Sequence, residues 1–245
     1  MQDHPLASDD EAAIPYRPHI GESRQYIRDI ILGVNDGLVS TFLLVAGVVG
    51  GGLTSSQVLL TAVASGIAGA VSMAAGEYLA TRSQEEVFDR EIALEQEHIA
   101  HYRKDEVEQL RGFFEDVGVH DDDVDTAIRI FSRDDNVLLG TMKVFEFGLV
   151  DSERRNPLLA MVMSGLLFIV GALPSTLPFA FTDSPYVGLA WAAVLVALAL
   201  FGVGAIKTSV TRGSIARSGA LNLGIAAVGG GLAYLVGQLF DTVVS

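Results

Sequence analysis

The apolar residues of this chain form five long runs instead of following the spacing of an amphipathic helix. The first two runs contain one charged residue each, Asp36 and Glu77, and the other three contain none. A helix needs about 20 mainly apolar residues to cross a bilayer. We therefore predict an all-α integral membrane protein with five transmembrane helices. They cover residues 30–53, 58–81, 158–181, 186–206 and 220–240.

One long polar segment, residues 82–156, separates the second and third runs, and it carries 20 acidic and 10 basic residues. A stretch of this length is unusual for a loop without secondary structure. Its sequence predicts a helix that continues the second span over 82–111, a turn at 118–125, and a further helix over roughly 124–150. We expect four segments: an arm (1–29), two spans (30–81), a helical metal-binding insert (82–156) and three spans (157–245).

The basic residues predict the orientation in the membrane. Three of the sixteen lie in the arm, ten in the insert, and three between the fourth and fifth spans. Five spans place all sixteen on one side, and Lys and Arg accumulate on the cytoplasmic side of short loops. We expect a cytoplasmic N-terminus and insert, and an external C-terminus. The arm shows no signal-peptide pattern and nothing marks an organelle, so the cell membrane is the expected location.

Composition excludes several classes of function. The chain has no cysteine, which excludes disulfides, thiol catalysis, Cys-ligated zinc and iron–sulfur clusters. A net charge of −14 argues against nucleic acid as a partner, because nucleic acid requires a basic surface.

The ionisable residues inside the spans are functional candidates, because a carboxylate in a bilayer is costly unless it is paired, protonated or hydrated. Met73 precedes Glu77 by four residues, so both lie on one helix face. Thioether and carboxylate ligands together suit a borderline divalent metal such as Fe²⁺. If these residues have no role in metal binding, Asp36 would form a structural hydrogen bond or a helix cap. Glu77 would then be an interfacial residue, and Met73 would pack in the core or against lipid.

The insert offers a second set of metal-ligand residues. Glu91, Glu95, His98 and Tyr102 share one helix face, and Glu106 follows on the same face or, if the chain turns near Arg103, on a second helix. Carboxylates with an imidazole and a thioether favour a transition metal, whereas an ordinary solvated acidic face would need no metal. Glu95-x-x-His98 also matches half of a di-iron motif. The candidate ligands are Glu91, Glu95, His98, Glu106, Met142 and Glu146.

Three motifs resemble signatures of the vacuolar iron transporter family. They are RDIILGVNDGLVST (28–41), SMAAGEYLATRSQ (72–84) and GALPSTLP (171–178). The resemblance covers about residues 22–245. It implies a homodimer that exchanges cytoplasmic Fe²⁺ for protons, with Asp36 and Met73 lining a path between protomers and Glu77 in the same motif.

The resemblance also implies that the insert gathers metal through Glu95, Glu106, Glu146 and Met142. Three positions depart from the family pattern. His98 and Gln109 stand where glutamates are usual, and Lys143 stands where a second methionine is usual. Fewer anionic ligands imply weaker capture or a different metal preference.

The expected function is export of Fe²⁺ from the cytoplasm in exchange for protons, without enzymatic activity. Mn²⁺, Co²⁺ and Zn²⁺ are also possible substrates, because their preferred ligands overlap with those of Fe²⁺. A membrane-anchored ferroxidase, or an iron-binding protein or sensor without metal flux, would account for the same metal-ligand residues.

Overall fold

The computed structural model describes residues 23–148, 154–211 and 215–244, so most of the predicted N-terminal arm lies outside the described part. This part contains helices and no strands. Five of the helices are long and apolar enough to cross a membrane, which confirms the predicted fold class. The helices are α1 (Ser23–Gly50), α2 (Ser55–Asp116), α3 (Asp121–Phe131), α4 (Asp135–Phe145), α5 (Pro157–Thr176), α6 (Pro185–Thr211) and α7 (Ile215–Val244), with a 3₁₀ turn at Leu177–Ala180.

The membrane part is built around α1 and α5. Helix α5 packs along both α1 and α2, and α1 also packs against α6 and α7. Glycines permit this close approach, since a methyl group at Gly37 would collide with the carbonyl oxygen of Phe168, and one at Gly171 with that of Val34. Small residues commonly serve this purpose between helices in lipid.

Caps and prolines set the ends of α5. The Asn156 side chain accepts hydrogen bonds from the backbone N–H groups of Leu158 (2.9 Å) and Leu159 (3.2 Å), so it caps the helix N-terminus. The α-helix includes Pro174, ends at Thr176 and gives way to the 3₁₀ turn that contains Pro178. The α-helical part of the third span therefore ends between its two prolines.

Helix α2 extends far beyond its apolar N-terminal part and forms the first element of the insert. It bends at Tyr102, whose backbone is not helical (φ −127°, ψ 30°). Of the two possibilities left open for the chain near Arg103, the bend is therefore the correct one. The bent helix packs with α3 and α4 around an apolar cluster of Ile99, Leu110, Phe114, Val124, Ile128, Leu138 and Met142.

The single helix predicted over 124–150 is wrong, because the structure has two short helices, α3 and α4, in its place. The Ser132 hydroxyl donates to the carbonyl oxygen of Ile128 (2.7 Å) at the end of α3. Asp134 then caps α4 by accepting from the N–H groups of Asn136 and Val137, both at 3.0 Å. A side chain that caps a new helix start competes with continuation of the preceding helix.

Candidate metal-binding sites

The bend in α2 assembles a cluster of three predicted ligands in the insert. Glu95 and His98 lie before the bend and Glu106 after it. The Nδ1 atom of His98 is 3.3 Å from Oε1 of Glu106 and 3.9 Å from Oε2 of Glu95. One ligand atom from each side chain lies within 4.8 Å of the other two. We call these three residues the insert cluster.

The two carboxylates of the insert cluster are buried. Glu95 is 2% exposed and Glu106 is 5% exposed, while His98 is more open to solvent. Among the described residues, Oε1 of Glu95 and Oε2 of Glu106 are buried and accept no hydrogen bond. Burial, followed by the negative charges of Glu106 and Glu146, raises the pKa of Glu95 to about 7.

This arrangement fits a divalent cation. Unpaired carboxylate oxygens are costly to bury, and a cation between them would remove that cost. Metal–oxygen and metal–imidazole bonds are about 2.0–2.2 Å long, so one ion can touch ligand atoms that lie a few ångströms apart. Two oxygens with one imidazole nitrogen suit Fe²⁺, Mn²⁺, Co²⁺ or Zn²⁺.

The other predicted ligands of the insert lie outside this three-residue cluster. Glu91 is partly buried on α2, and Glu146 is exposed at the end of α4, where its charge still acts on Glu95. Met142 is fully buried and belongs to the apolar core of the insert. The roles of these three residues as ligands stay predictions.

The predicted pathway residues occupy different environments in the membrane part. Asp36 is exposed on the surface of the single chain, although it lies in an apolar helix, and Met73 on α2 is partly buried. Glu77 is 22% exposed by side chain and pairs with Arg155, with 3.0 Å between Oε1 of Glu77 and Nη1 of Arg155.

The partners of Glu77 were not predicted from the sequence. Nη2 of Arg155 also contacts Oδ2 of Asp29, so the guanidinium joins carboxylates from α1 and α2. Asp29 precedes Asp36 by seven residues, a spacing that puts both on one face of α1. That spacing was the available signal, but nothing in the sequence pairs either acid with an arginine 126 residues from Asp29.

The neighbouring Arg154 forms a second set of ion pairs with α2. Its Nη1 lies 2.8 Å from Oδ1 of Asp89 and 3.2 Å from Oε2 of Glu85. The backbone N–H of Arg155 also donates to Glu85 (3.4 Å). The segment just before α5 is therefore fixed to the part of α2 that leads from the membrane to the insert.

The described part of the chain thus combines five helices able to cross a membrane with a charged insert that contains a candidate metal cluster. The chain belongs to the VIT family, whose family model matches residues 27–238. The resemblance carried by the three motifs is thus confirmed. Members of this family are transporters, so the chain is a transporter and not an enzyme.

Similar proteins include two plant transporters and a yeast protein. The chain is 32% identical over 187 residues to vacuolar iron transporter 2 of Oryza sativa subsp. japonica, covering 76% of each chain. It is 30% identical over 217 residues to vacuolar iron transporter 1 of Tulipa gesneriana, covering 89% of this chain and 88% of that one. Protein CCC1 of Saccharomyces cerevisiae is 25% identical over 195 residues, or 77% of this chain and 59% of its own.

Proposed function

We propose that this protein moves Fe²⁺ out of the cytoplasm in exchange for protons. The observation that carries the proposal is the insert cluster, in which two buried carboxylates present oxygens without hydrogen-bond partners beside an imidazole. The names of the related vacuolar iron transporters support iron as the substrate.

In this proposal the insert and N-terminal arm face the cytoplasm, and the insert cluster captures the metal. Glu95 and Glu106 provide the anionic oxygens and His98 provides a neutral nitrogen. Deprotonated carboxylates are required for binding, so metal and protons compete for the same site. The metal would leave the cytoplasm whether the protein lies in the cell membrane or in the membrane of an organelle. The cell membrane stays our prediction for its location.

Glu77 then receives the metal at the inner end of the pathway, and Met73 and Asp36 hold it deeper in the membrane. Two chains would form the complete pathway. The exposure of Asp36 on a single chain supports this, because a carboxylate facing lipid is costly, whereas one facing a second protomer can bind a shared ion. Protonation of Asp36 from the acidic side would release the metal there.

His98 favours a broader range of metals than an all-carboxylate cluster. An imidazole in place of a carboxylate removes one negative charge and suits Zn²⁺ and Fe²⁺ better than Mn²⁺. Transport of Zn²⁺ or Co²⁺ is therefore the second candidate within the same class, and competition between metals in a flux assay would rank them.

The test is Fe²⁺ uptake by proteoliposomes under a pH gradient with an acidic interior. We expect uptake by the wild type, loss of uptake in Asp36→Ala, and partial activity in Asp36→Glu, which keeps the carboxylate. Asp183→Asn is a matched control, because this acid lies in the turn before α6, away from the proposed pathway. Normal uptake by Asp36→Ala would remove Asp36 from the mechanism.

A further inference from the structure

Arg155 binds Glu77, the residue at the inner end of the proposed metal pathway. Its guanidinium contacts Glu77 of α2 and Asp29 of α1 at the same time. The exposed fraction of the side chain is 20% for Arg155, 22% for Glu77 and 14% for Asp29. These side chains come from three different segments of the chain, and each is largely shielded from water.

The two carboxylates held by Arg155 lie on the helix faces that lead to the proposed pathway. Met73 lies one turn from Glu77 on α2, and Asp36 lies two turns from Asp29 on α1. A divalent ion that enters from the insert side would therefore meet the pair Glu77–Asp29 before it meets Met73 and Asp36. Glu77 and Asp29 can bind either the guanidinium of Arg155 or the metal ion. Binding both together is unfavourable, because the two cations would repel each other at this distance.

We propose that Arg155 is a tethered cation that closes the inner end of the metal pathway and must leave Glu77 before metal binds there. This inference rests on the proposed transport function. Arg155 is a positioning residue in this proposal, since it controls access to the carboxylates and does not ligate the metal.

One feature of the structure fits an arginine side chain that moves. A cavity of about 40 Å³ adjoins the triad and is lined by Asp29, Arg155, Asn156 and apolar residues of α1 and α5. This volume accommodates about one water molecule, so solvent can replace part of the guanidinium contact. The backbone here is held to Glu85 and Asp89 of α2, so Arg155 would leave Glu77 by a change in its own side-chain conformation.

A purely structural role is the competing explanation, in which Arg155 only ties α5 to α1 and α2. The two explanations differ in their consequences for metal binding at Glu77. If Arg155 closes the pathway, removal of its guanidinium should uncover a metal site at Glu77. If Arg155 only holds the helices together, its removal should give no gain in metal affinity.

The experiment measures Mn²⁺ binding to the full-length protein in detergent by electron paramagnetic resonance. Glu95→Gln and Glu106→Gln remove the insert cluster, so that the remaining binding reports on the membrane part. In this background we expect Arg155→Gln to bind Mn²⁺ at least about tenfold more tightly than the background itself, since the competing charge is gone. The gain should disappear when Glu77→Gln is added, and Arg155→Lys should stay near the background.

Equal Mn²⁺ affinity with and without Arg155 would overturn the proposal. Arg111→Gln controls for the loss of one positive charge, because Arg111 pairs with Asp125 in the insert. If Arg155→Gln does not fold, Asp29→Asn/Arg155→Gln removes one charge of each sign and leaves the net charge of the triad unchanged. This double variant should still bind Mn²⁺ more tightly than Asp29→Asn alone.

Flux separates this inference from the proposed function. With the insert intact, Arg155→Gln should lower the KM for metal and also lower the maximal rate, because metal leaves a tighter site more slowly. Absence of flux in every variant, including the wild type, would refute the transport proposal, while the Mn²⁺ titration would still decide whether Arg155 competes with metal.

Discussion

Metal binding by the insert should depend strongly on pH because of Glu95. Burial and the charges of Glu106 and Glu146 raise the pKa of this carboxyl from its ordinary value of 4.5 to about 7. A metal ion binds the ionised form, so each proton on Glu95 must leave before metal binds. The expected result is an affinity that rises with pH up to about 7 and then levels off.

The magnitude follows from the fraction of ionised carboxyl. With a pKa of about 7, roughly one Glu95 in eleven is ionised at pH 6, so the apparent affinity should be about tenfold weaker at pH 6 than at pH 8. A carboxyl with the ordinary pKa of 4.5 would lose only about 3% of its affinity over the same interval.

The same pKa shift makes the stability of the metal-free insert depend on pH. Because the folded-state pKa of Glu95 lies above the unfolded one, the contribution of this residue is fully present below pH 4.5 and is lost as the pH rises through about 7. The difference between the two pKa values corresponds to about 3 kcal/mol. Glu95→Gln should therefore stabilise the metal-free protein at pH 8 while it weakens metal binding.

The assay is a Mn²⁺ titration between pH 5.5 and 8 in a Glu77→Gln background, which removes the proposed site at the pathway entrance. Imidazoles also take up protons in this range, so the titration is repeated with His98→Gln. The tenfold change should persist in that variant. Glu106→Gln should move the pH dependence to lower pH, because it removes a negative charge beside Glu95. Affinities within twofold at pH 6 and pH 8 in His98→Gln would refute a raised pKa of Glu95.

Three further outcomes test the packing and the metal preference. Gly171→Ala should lower the thermal stability of the purified protein, because its methyl group would meet the carbonyl oxygen of Val34, whereas Gly202→Ala, with open space around it, should not. Met142→Ala should lower the free energy of unfolding of the insert by about 2–5 kcal/mol, because it leaves a cavity in the core. Met142→Leu should lower it by less than about 1.5 kcal/mol, so metal titration of Met142→Leu isolates any role of the sulfur. His98→Glu should increase the affinity for Mn²⁺ relative to Zn²⁺, measured by competition, because carboxylates suit Mn²⁺ better than imidazole does.

The membrane part was predictable from the sequence because the bilayer imposes a minimum length of apolar residues on every span. The spacing of Glu95 and His98 placed them correctly on one face of a helix, and the turn considered near Arg103 is the bend that brings Glu106 to them.

The missed features depend on local breaks without strong markers and on contacts between distant residues. The missed break between α3 and α4 depends on the cap formed by Asp134. No proline or glycine marks the bend at Tyr102, so the sequence left a straight helix and a turn as alternatives there. The ion pairs of Arg155 join residues 78 and 126 positions apart in the chain. Helix periodicity cannot predict such pairs, because they form only after α1, α2 and α5 pack together.

The central claim is that metal leaves the cytoplasmic side in exchange for protons. The most direct test records Fe²⁺ entry and internal pH in the same proteoliposomes, with and without an acidic interior, for wild type and Asp36→Ala. We predict that Fe²⁺ entry requires the gradient and Asp36, and that it raises the internal pH as protons leave. Fe²⁺ entry without a change in internal pH would contradict proton exchange, and binding without any entry would contradict transport.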